Sequence, residues 1–392
     1  MITAGKVDMI TANRIDPQCI TYSQMNLIFN ARTLYRRLAT WTRAYMISRY
    51  LGMGTSDELF GRLYYESLDI GNKLSIIIGR ENAEKYSQLL SQFVIALRDL
   101  ISAQIAGDTA GMETNLALLY QNAEERENFL ISINPYWRWT ETEMENPLAT
   151  YLRYTLEEAN TLASHDYTKD IEIFNLLLAS ADRLGDVLAD GLYDYLTSGI
   201  PNPFPLPPGI HCITYEEMND IYRVRMVWYD LVTWVRYYML SRYLGIGNPE
   251  ETLARLRQVA TEFVEAMKHI FGDRVPEDYL QLFQTYISLI EELITAQIED
   301  NIDEMNRVTQ LLYQNADERA AAIASILPDY WDEEDWRTRL YGNLRSTIDE
   351  STTFLTQDYT RNIDIFSRLL DQSENTGNYL TQGLFQYLEQ RT

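Results

Sequence analysis

WTRAYMISRYLG (residues 41–52) returns almost unchanged as WVRYYMLSRYLG (234–245), 193 residues further on. The correspondence extends in both directions. CITYSQMN (19–26) pairs with CITYEEMN (212–219), SAQIAGD (102–108) with TAQIEDN (295–301), and LLYQNAEER (118–126) with LLYQNADER (311–319), all at the same offset. Beyond SINPYW (132–137) and SILPDYW (325–331) the offset becomes 192, so that DYTKDIEIF (166–174) meets DYTRNIDIF (358–366). A repeat of this length, kept in step over so many elements, is a copied domain and not a solenoid unit. The expected organisation is an N-terminal arm (1–18), a first copy (19–197), a linker (198–211) and a second copy (212–392). The linker holds five prolines within residues 201–208, which cannot continue a helix and favour an extended, semi-rigid spacer.

Each copy reads as helical. Ala31, Leu34, Leu38, Trp41 and Tyr45 step by three and four, as do Val224, Val227, Leu231, Trp234 and Tyr238. That spacing lays one apolar stripe along a long helix. Thr21 with Gln24, Thr214 with Glu217, and Thr55 with Glu58 fit capping boxes. Asn248-Pro249 fits a cap followed by proline in the first turn. Gly52 and Gly245 fall where a left-handed residue closes a helix, and Pro135 and Pro328 mark further stops. The expected fold is all-α: two tandem homologous helical bundles of five or six helices each, joined by the proline-rich linker. In the first copy the helices should cover about 21–51, 56–78, 82–106, 109–132, 141–164 and 167–196.

The 392 residues include 57 acidic and 33 basic side chains, for a net charge of −24. Such a surface repels phosphate backbones and anionic lipid heads, which argues against nucleic-acid and membrane partners. No run of about 18 apolar residues suggests a membrane span, and residues 1–20 lack a signal-peptide pattern. Two cysteines are too few for a disulfide scaffold and fit a reducing compartment, so the expected location is the cytoplasm. Cys19 and Cys212 each precede a helix start by two residues. They read as small buried hydrophobes, with a mutual disulfide possible only if the two starts meet in space. Twenty-eight tyrosines and seven tryptophans suit helix–helix seams, or sticky patches for a partner.

No residue set predicts catalysis, a cofactor or a metal. Di-iron bundles need Glu-x-x-His pairs on facing helices. The three histidines here, His165, His211 and His269, do not recur between the copies. Neither a P-loop nor a dinucleotide fingerprint is present. What recurs is polar and interior in pattern: Arg43 and Arg236, Arg49 and Arg242, Asn122 and Asn315, Glu125 and Glu318, Arg126 and Arg319, and the Asp-Tyr-Thr triplets at 166–168 and 358–360. One reading makes the arginines register residues, stacked on aromatics and paired with a buried glutamate, with the aspartates as helix caps. The other makes the set a polar pocket for an acidic ligand, with Arg43, Arg49, Asn122 and Glu125 grouped inside each bundle.

The phrases WTRAYMIS, LLYQNADERAAAIASILPDYWDEEDW and DYTRNIDIFSRLLDQSENTGNYLTQGL resemble an uncharacterised all-helical family of spore-forming low-GC Gram-positive bacteria. Its members are single-copy chains, some labelled acetylglutamate kinase, a label at odds with the missing α/β pattern and glycine-rich phosphate loops. The resemblance covers nearly all of the second copy and the first more loosely. It implies a helical fold and a possible spore association. It also implies a histidine three residues before the WTR tryptophan and another in the third helix. Here those positions hold Leu38 and Leu231, and Phe93 and Tyr286. Together these features predict a non-catalytic structural or interaction protein that self-associates or binds a protein partner. The alternative is a small-molecule binder or enzyme with a polar pocket in each bundle.

Overall fold

The computed structural model describes residues 19–134, 137, 146–197 and 211–390, which are helical almost throughout. The N-terminal arm, all of the proline-rich linker except His211, the stop at Pro135 and the expected helix start near 141 lie outside the described residues. Six helices precede the linker: α1 (Tyr22–Leu51), α2 (Ser56–Ile78), α3 (Arg80–Ala106), α4 (Thr109–Ile133), α5 (Pro147–Ser164) and α6 (Tyr167–Thr197). Six follow it: α7 (Tyr215–Leu244), α8 (Pro249–Phe271), α9 (Tyr279–Ile298), α10 (Ile302–Ile326), α11 (Glu333–Leu355) and α12 (Tyr359–Glu389).

The helix ends follow local chemistry. At α7, Thr214 Oγ1 accepts from the Glu217 N–H at 3.2 Å, while Glu217 accepts from the Thr214 N–H at 2.8 Å. Thr21 and Gln24 do the same ahead of α1. Asn248 caps α8, with Pro249 in the first turn. Asp166 and Asp358 accept from Lys169 and Arg361 at the starts of α6 and α12. Gly245 closes α7 at φ 66°, a left-handed conformation that a Cβ would strain. Thr55 departs from the expected box. Its hydroxyl is instead 3.0 Å from that of Ser48.

The single apolar stripe proves too narrow a description of α1 and α7. From Ala31 to Ser48, and from Val224 to Ser241 with only Asp230 less than fully covered, the whole circumference is buried. A helix apolar all round sits inside other helices. In the second copy α8, α9, α10, α11 and α12 pack in sequence, α7 closes the ring between α8 and α12, and α7 also touches α9 and α11.

The chain divides into two compact units. Unit 1 takes Met1–Ala39, Tyr64–Leu156 and Leu176–Cys212; unit 2 takes Thr40–Leu63, Glu157–Asn175 and Ile213–Thr392. The division does not follow the boundary between the copies, because unit 2 holds the whole second copy from Ile213 together with parts of α1, α2, α5 and α6.

In unit 1, Arg32, Arg36 and Arg37 on α1 pair with Asp186, Asp182 and Glu66. A Cβ on Gly185 would collide with the backbone at Arg32, and one on Gly191 with the indole of Trp137. These two glycines therefore set how closely α6 can lie to its neighbours. The Trp137 indole N–H donates to the Leu188 carbonyl at 3.1 Å. Cys19 and Cys212 form a disulfide, with their Cα atoms 5.0 Å apart. This corrects the expectation of two buried free thiols. The two helix starts do meet, and beside the bond Ile20–Thr21 and Cys212–Ile213 form a two-stranded ladder. Periodicity gave no sign of it, since two residues are too short to alternate.

In unit 2 the segments from the first copy meet the second copy through reciprocal pairs. Trp41 lies edge-on to Phe366 at 5.3 Å, and its counterpart Trp234 lies edge-on to Phe174 at 5.8 Å. Arg62 donates to Ser367 and stacks on Trp41, while Arg255 donates to Asn175 and stacks on Trp234. Thr360 reaches Glu58, and Thr168 reaches Glu251. In each case a residue and its partner exchange places between the copies, which is the logic of an isologous interface.

Candidate functional site

Two kinds of buried arginine define the polar interior. The first is Arg43 on α1. Its guanidinium makes a bidentate pair with Asp170 at 2.8 and 2.6 Å and also bonds Glu158. The rings of Phe174 and Tyr237 flank it, each 4.5 Å away. Burial opposes the guanidinium charge, but Asp170 and Glu158 outweigh that and push its pKa up. Burial drives the Glu158 carboxyl well above the usual range, against the pull of Arg43 and with the push of Asp170. One Glu158 oxygen bonds Arg43 and the other, buried, has no donor. A carboxylate left half-satisfied in a dry interior favours its protonated form.

The counterpart on α7 is Arg236, which bonds Glu350 and stacks on Phe366 at 4.4 Å. Here Asn362 stands where the first copy has Asp170. Its amide donates to the Thr353 hydroxyl at 2.9 Å. Burial lifts Glu350 from 4.5 to about 7, with Arg236 opposing. The second site thus carries one carboxylate per arginine and the first carries two.

A cavity of about 20 Å³ adjoins the first cluster, lined by Arg43, Asp170, Tyr167, Tyr237, Trp234 and Thr252 among others. That is room for one water molecule. Tyr167, Gly247 and Asn248 also line a surface groove of about 590 Å³ at the starts of α6 and α8.

The second kind of buried arginine has no carboxylate. Arg126 on α4 donates from Nε to Asn122 Oδ1 at 3.0 Å, and Asn122 donates to the Leu89 carbonyl at 2.8 Å. The Phe93 ring lies 4.9 Å from the guanidinium. Arg319 on α10 repeats the pattern with Asn315 (2.9 Å), the Leu282 carbonyl (2.9 Å) and the Tyr286 ring (4.3 Å). Burial pushes the Arg319 guanidinium down, with Tyr286 and Tyr279 partly offsetting it.

The expected polar set is therefore split. Asn122 and Arg126 come together in unit 1, as do Asn315 and Arg319 in unit 2. Arg43 and Arg49 belong to unit 2, apart from Asn122. Glu125 and Glu318 stay exposed, each accepting from the glutamine one turn earlier. Arg49 is half-buried in the last turn of α1. Arg242 donates to the Tyr238 hydroxyl at 2.7 Å and to Thr295 at 3.1 Å. Leu38, Leu231, Phe93 and Tyr286, where the resembling family carries histidines, are all buried, and the last two are the rings beside Arg126 and Arg319.

Glu158, Asp170 and Glu350 had not been singled out. Glu158 and Glu350 carry a legible signal, since each stands eight residues before the Asp-Tyr-Thr cap in its copy. Among the described residues no group of three or more His, Cys, Asp or Glu side chains is placed to hold a metal ion. Among them α3 is the one helix long and apolar enough to cross a bilayer, and more than half of its apolar window is buried, as in a core helix. Comparison with protein families, curated proteins and solved structures gives no match.

Proposed function

We propose that this chain is a non-catalytic structural or interaction protein. A duplicated helical module interlocks with itself and offers two similar acidic surfaces to a protein partner or to further copies of the chain. The observation that carries the reading is the reciprocity in unit 2, where Trp41–Phe366 answers Trp234–Phe174 and Arg62–Ser367 answers Arg255–Asn175. Such pairing holds the copies firmly, so two like surfaces act at a fixed spacing and gain avidity without new contacts. The recurring polar residues support the same reading, because Arg43, Arg236, Asn122 and Asn315 are engaged in bonds that fix helix register. A net charge of −24 favours cationic protein surfaces over nucleic acid or anionic membranes.

Membership of the spore-former helical family is part of the proposal, as is a cytoplasmic or spore-associated location. The Cys19–Cys212 bond weighs against a persistently reducing compartment. Alkylation of the protein at the moment of lysis, followed by mass measurement, decides that point. The functional test is light scattering coupled to size exclusion at high concentration, with electron microscopy of the same sample. Oligomers, filaments or a copurifying partner are expected. A strict monomer without a partner would remove the assembly reading.

A further inference from the structure

In this very acidic chain, buried arginines are as a rule supplied with carboxylates. Arg32, Arg36 and Arg37 in unit 1 have Asp186, Asp182 and Glu66, and Arg43 and Arg236 in unit 2 have Glu158 with Asp170, and Glu350. Arg126 breaks the rule. It is fully buried, and its Nε is taken by Asn122. Both terminal nitrogens, Nη1 and Nη2, are buried without an acceptor in hydrogen-bond geometry. The nearby Tyr151 hydroxyl is likewise buried and unpartnered. The Tyr35 and Tyr86 hydroxyls bond each other. The Tyr86 hydroxyl feels the guanidinium, which pulls its pKa down against the rise caused by burial, without closing a well-formed bond to it. An arginine does not give up its proton under such conditions. A buried charge lacking a counter-charge, with two donors unmet, is among the most destabilising arrangements a core can hold.

We propose that Arg126 anchors a buried binding site for a small monocarboxylate. The planar guanidinium fork offers two parallel N–H donors from Nη1 and Nη2, which match the two oxygens of a carboxylate. The Tyr151 hydroxyl supplies a third donor. One negative charge balances one positive charge, whereas a phosphate or sulfate dianion would leave a net charge among the rings of Phe93, Tyr86 and Tyr35. The site lies behind a surface groove of about 380 Å³ lined by Gln92, Ala96, Asn115, Leu118, Gln121 and, at its inner wall, Asn122. Asn122 is therefore both the groove's wall and the side chain that fixes Arg126, and a rotation of this one amide would connect the two.

The test uses the full-length protein and formate as the probe. Thermal unfolding is followed while sodium formate replaces sodium gluconate, an anion too large for the site, at constant pH and ionic strength. Carbon-13 formate titrated against the folded protein reports binding directly. The wild type should gain melting temperature steadily with the logarithm of formate concentration and show saturable broadening of the formate signal. Arg126→Met, which keeps the packing volume and removes the charge, should melt no lower than wild type in gluconate and should lose the formate response. A wild type indifferent to formate would overturn the site. So would a response undiminished in Arg126→Met, or an Arg126→Met chain that melts well below wild type in gluconate. The last result would mean that the tyrosines alone satisfy the guanidinium. Should Arg126→Met fail to fold at all, that counts as the same adverse outcome, and Arg126→Lys then checks the fork. A lysine keeps the charge and cannot grip both oxygens, so the site requires formate binding to fall at least about tenfold. Unchanged binding would overturn it.

Discussion

Replacing Glu350 by glutamine should change how stability depends on pH, and the size of the change follows from its surroundings. Glu350 is fully buried, with one oxygen on Arg236 and the other without a donor. Burial raises its pKa from 4.5 to about 7. Between those values the folded chain holds a proton that the unfolded chain has released. Stability therefore falls as pH rises through that window, and the loss is complete above about 7. At about 1.4 kcal/mol per unit, the rise corresponds to about 3 kcal/mol. Glutamine mimics the protonated carboxyl and does not titrate. The stability of wild type relative to Glu350→Gln should thus decline by about 3 kcal/mol between pH 4.5 and pH 8. Urea unfolding of both proteins, followed by circular dichroism at fixed ionic strength across that range, measures the difference. Titration of the remaining carboxylates is common to both and cancels. Parallel stability curves would refute the reasoning, because they would mean that Glu350 ionises as it does in the unfolded chain. A gap that widens in favour of wild type as pH rises would show that Arg236 outweighs burial.

Cys19→Ser opens a cross-link spanning 193 residues, and the chain-entropy relation puts the loss at about 5 kcal/mol, read as a lower urea midpoint that reductant reproduces in wild type but not in the variant. Gly383→Ala places a methyl into the Trp331 indole and should cost about 1–3 kcal/mol by overpacking. Gly342→Ala on α11 meets open space and should instead add about 0.5–1 kcal/mol. Equal thermal shifts for the two glycine variants would contradict the packing described for α12.

Much of the helical frame could be read from residues that act locally. Asp166, Asp358, Thr214 and Asn248 satisfy backbone groups within a turn of themselves, and Gly245 turns the chain at its own position, so their roles need no knowledge of distant parts. The burial of α1 and α7 could not be read this way. Their stripes, Ala31 to Tyr45 and Val224 to Tyr238, were visible, but the polar and small residues between them are covered only because other helices close over the remaining faces. The same limit applies to Arg43. Its recurrence as Arg236 marked it as an interior residue, whereas its partners lie 115 and 127 positions away. The Asp170-to-Asn362 difference gains meaning only once both arginines are seen with their acids. Thr55 illustrates the converse, a local motif whose hydroxyl is drawn off by Ser48 at the end of the preceding helix. The two cysteines were each visible as helix-start residues, and only the folded chain brings them within bonding range.

The Cys19–Cys212 bond ties a position to its own counterpart. A cross-link of that kind asks for a single cysteine codon in a gene encoding one copy, since the residue is already complementary to itself on a second, identical molecule. Joining two such genes head to tail would leave the chemistry untouched and alter only its order, from a second-order meeting of separate chains to a first-order closure within one. The covalent tie would then form at a rate independent of how much protein the cell makes.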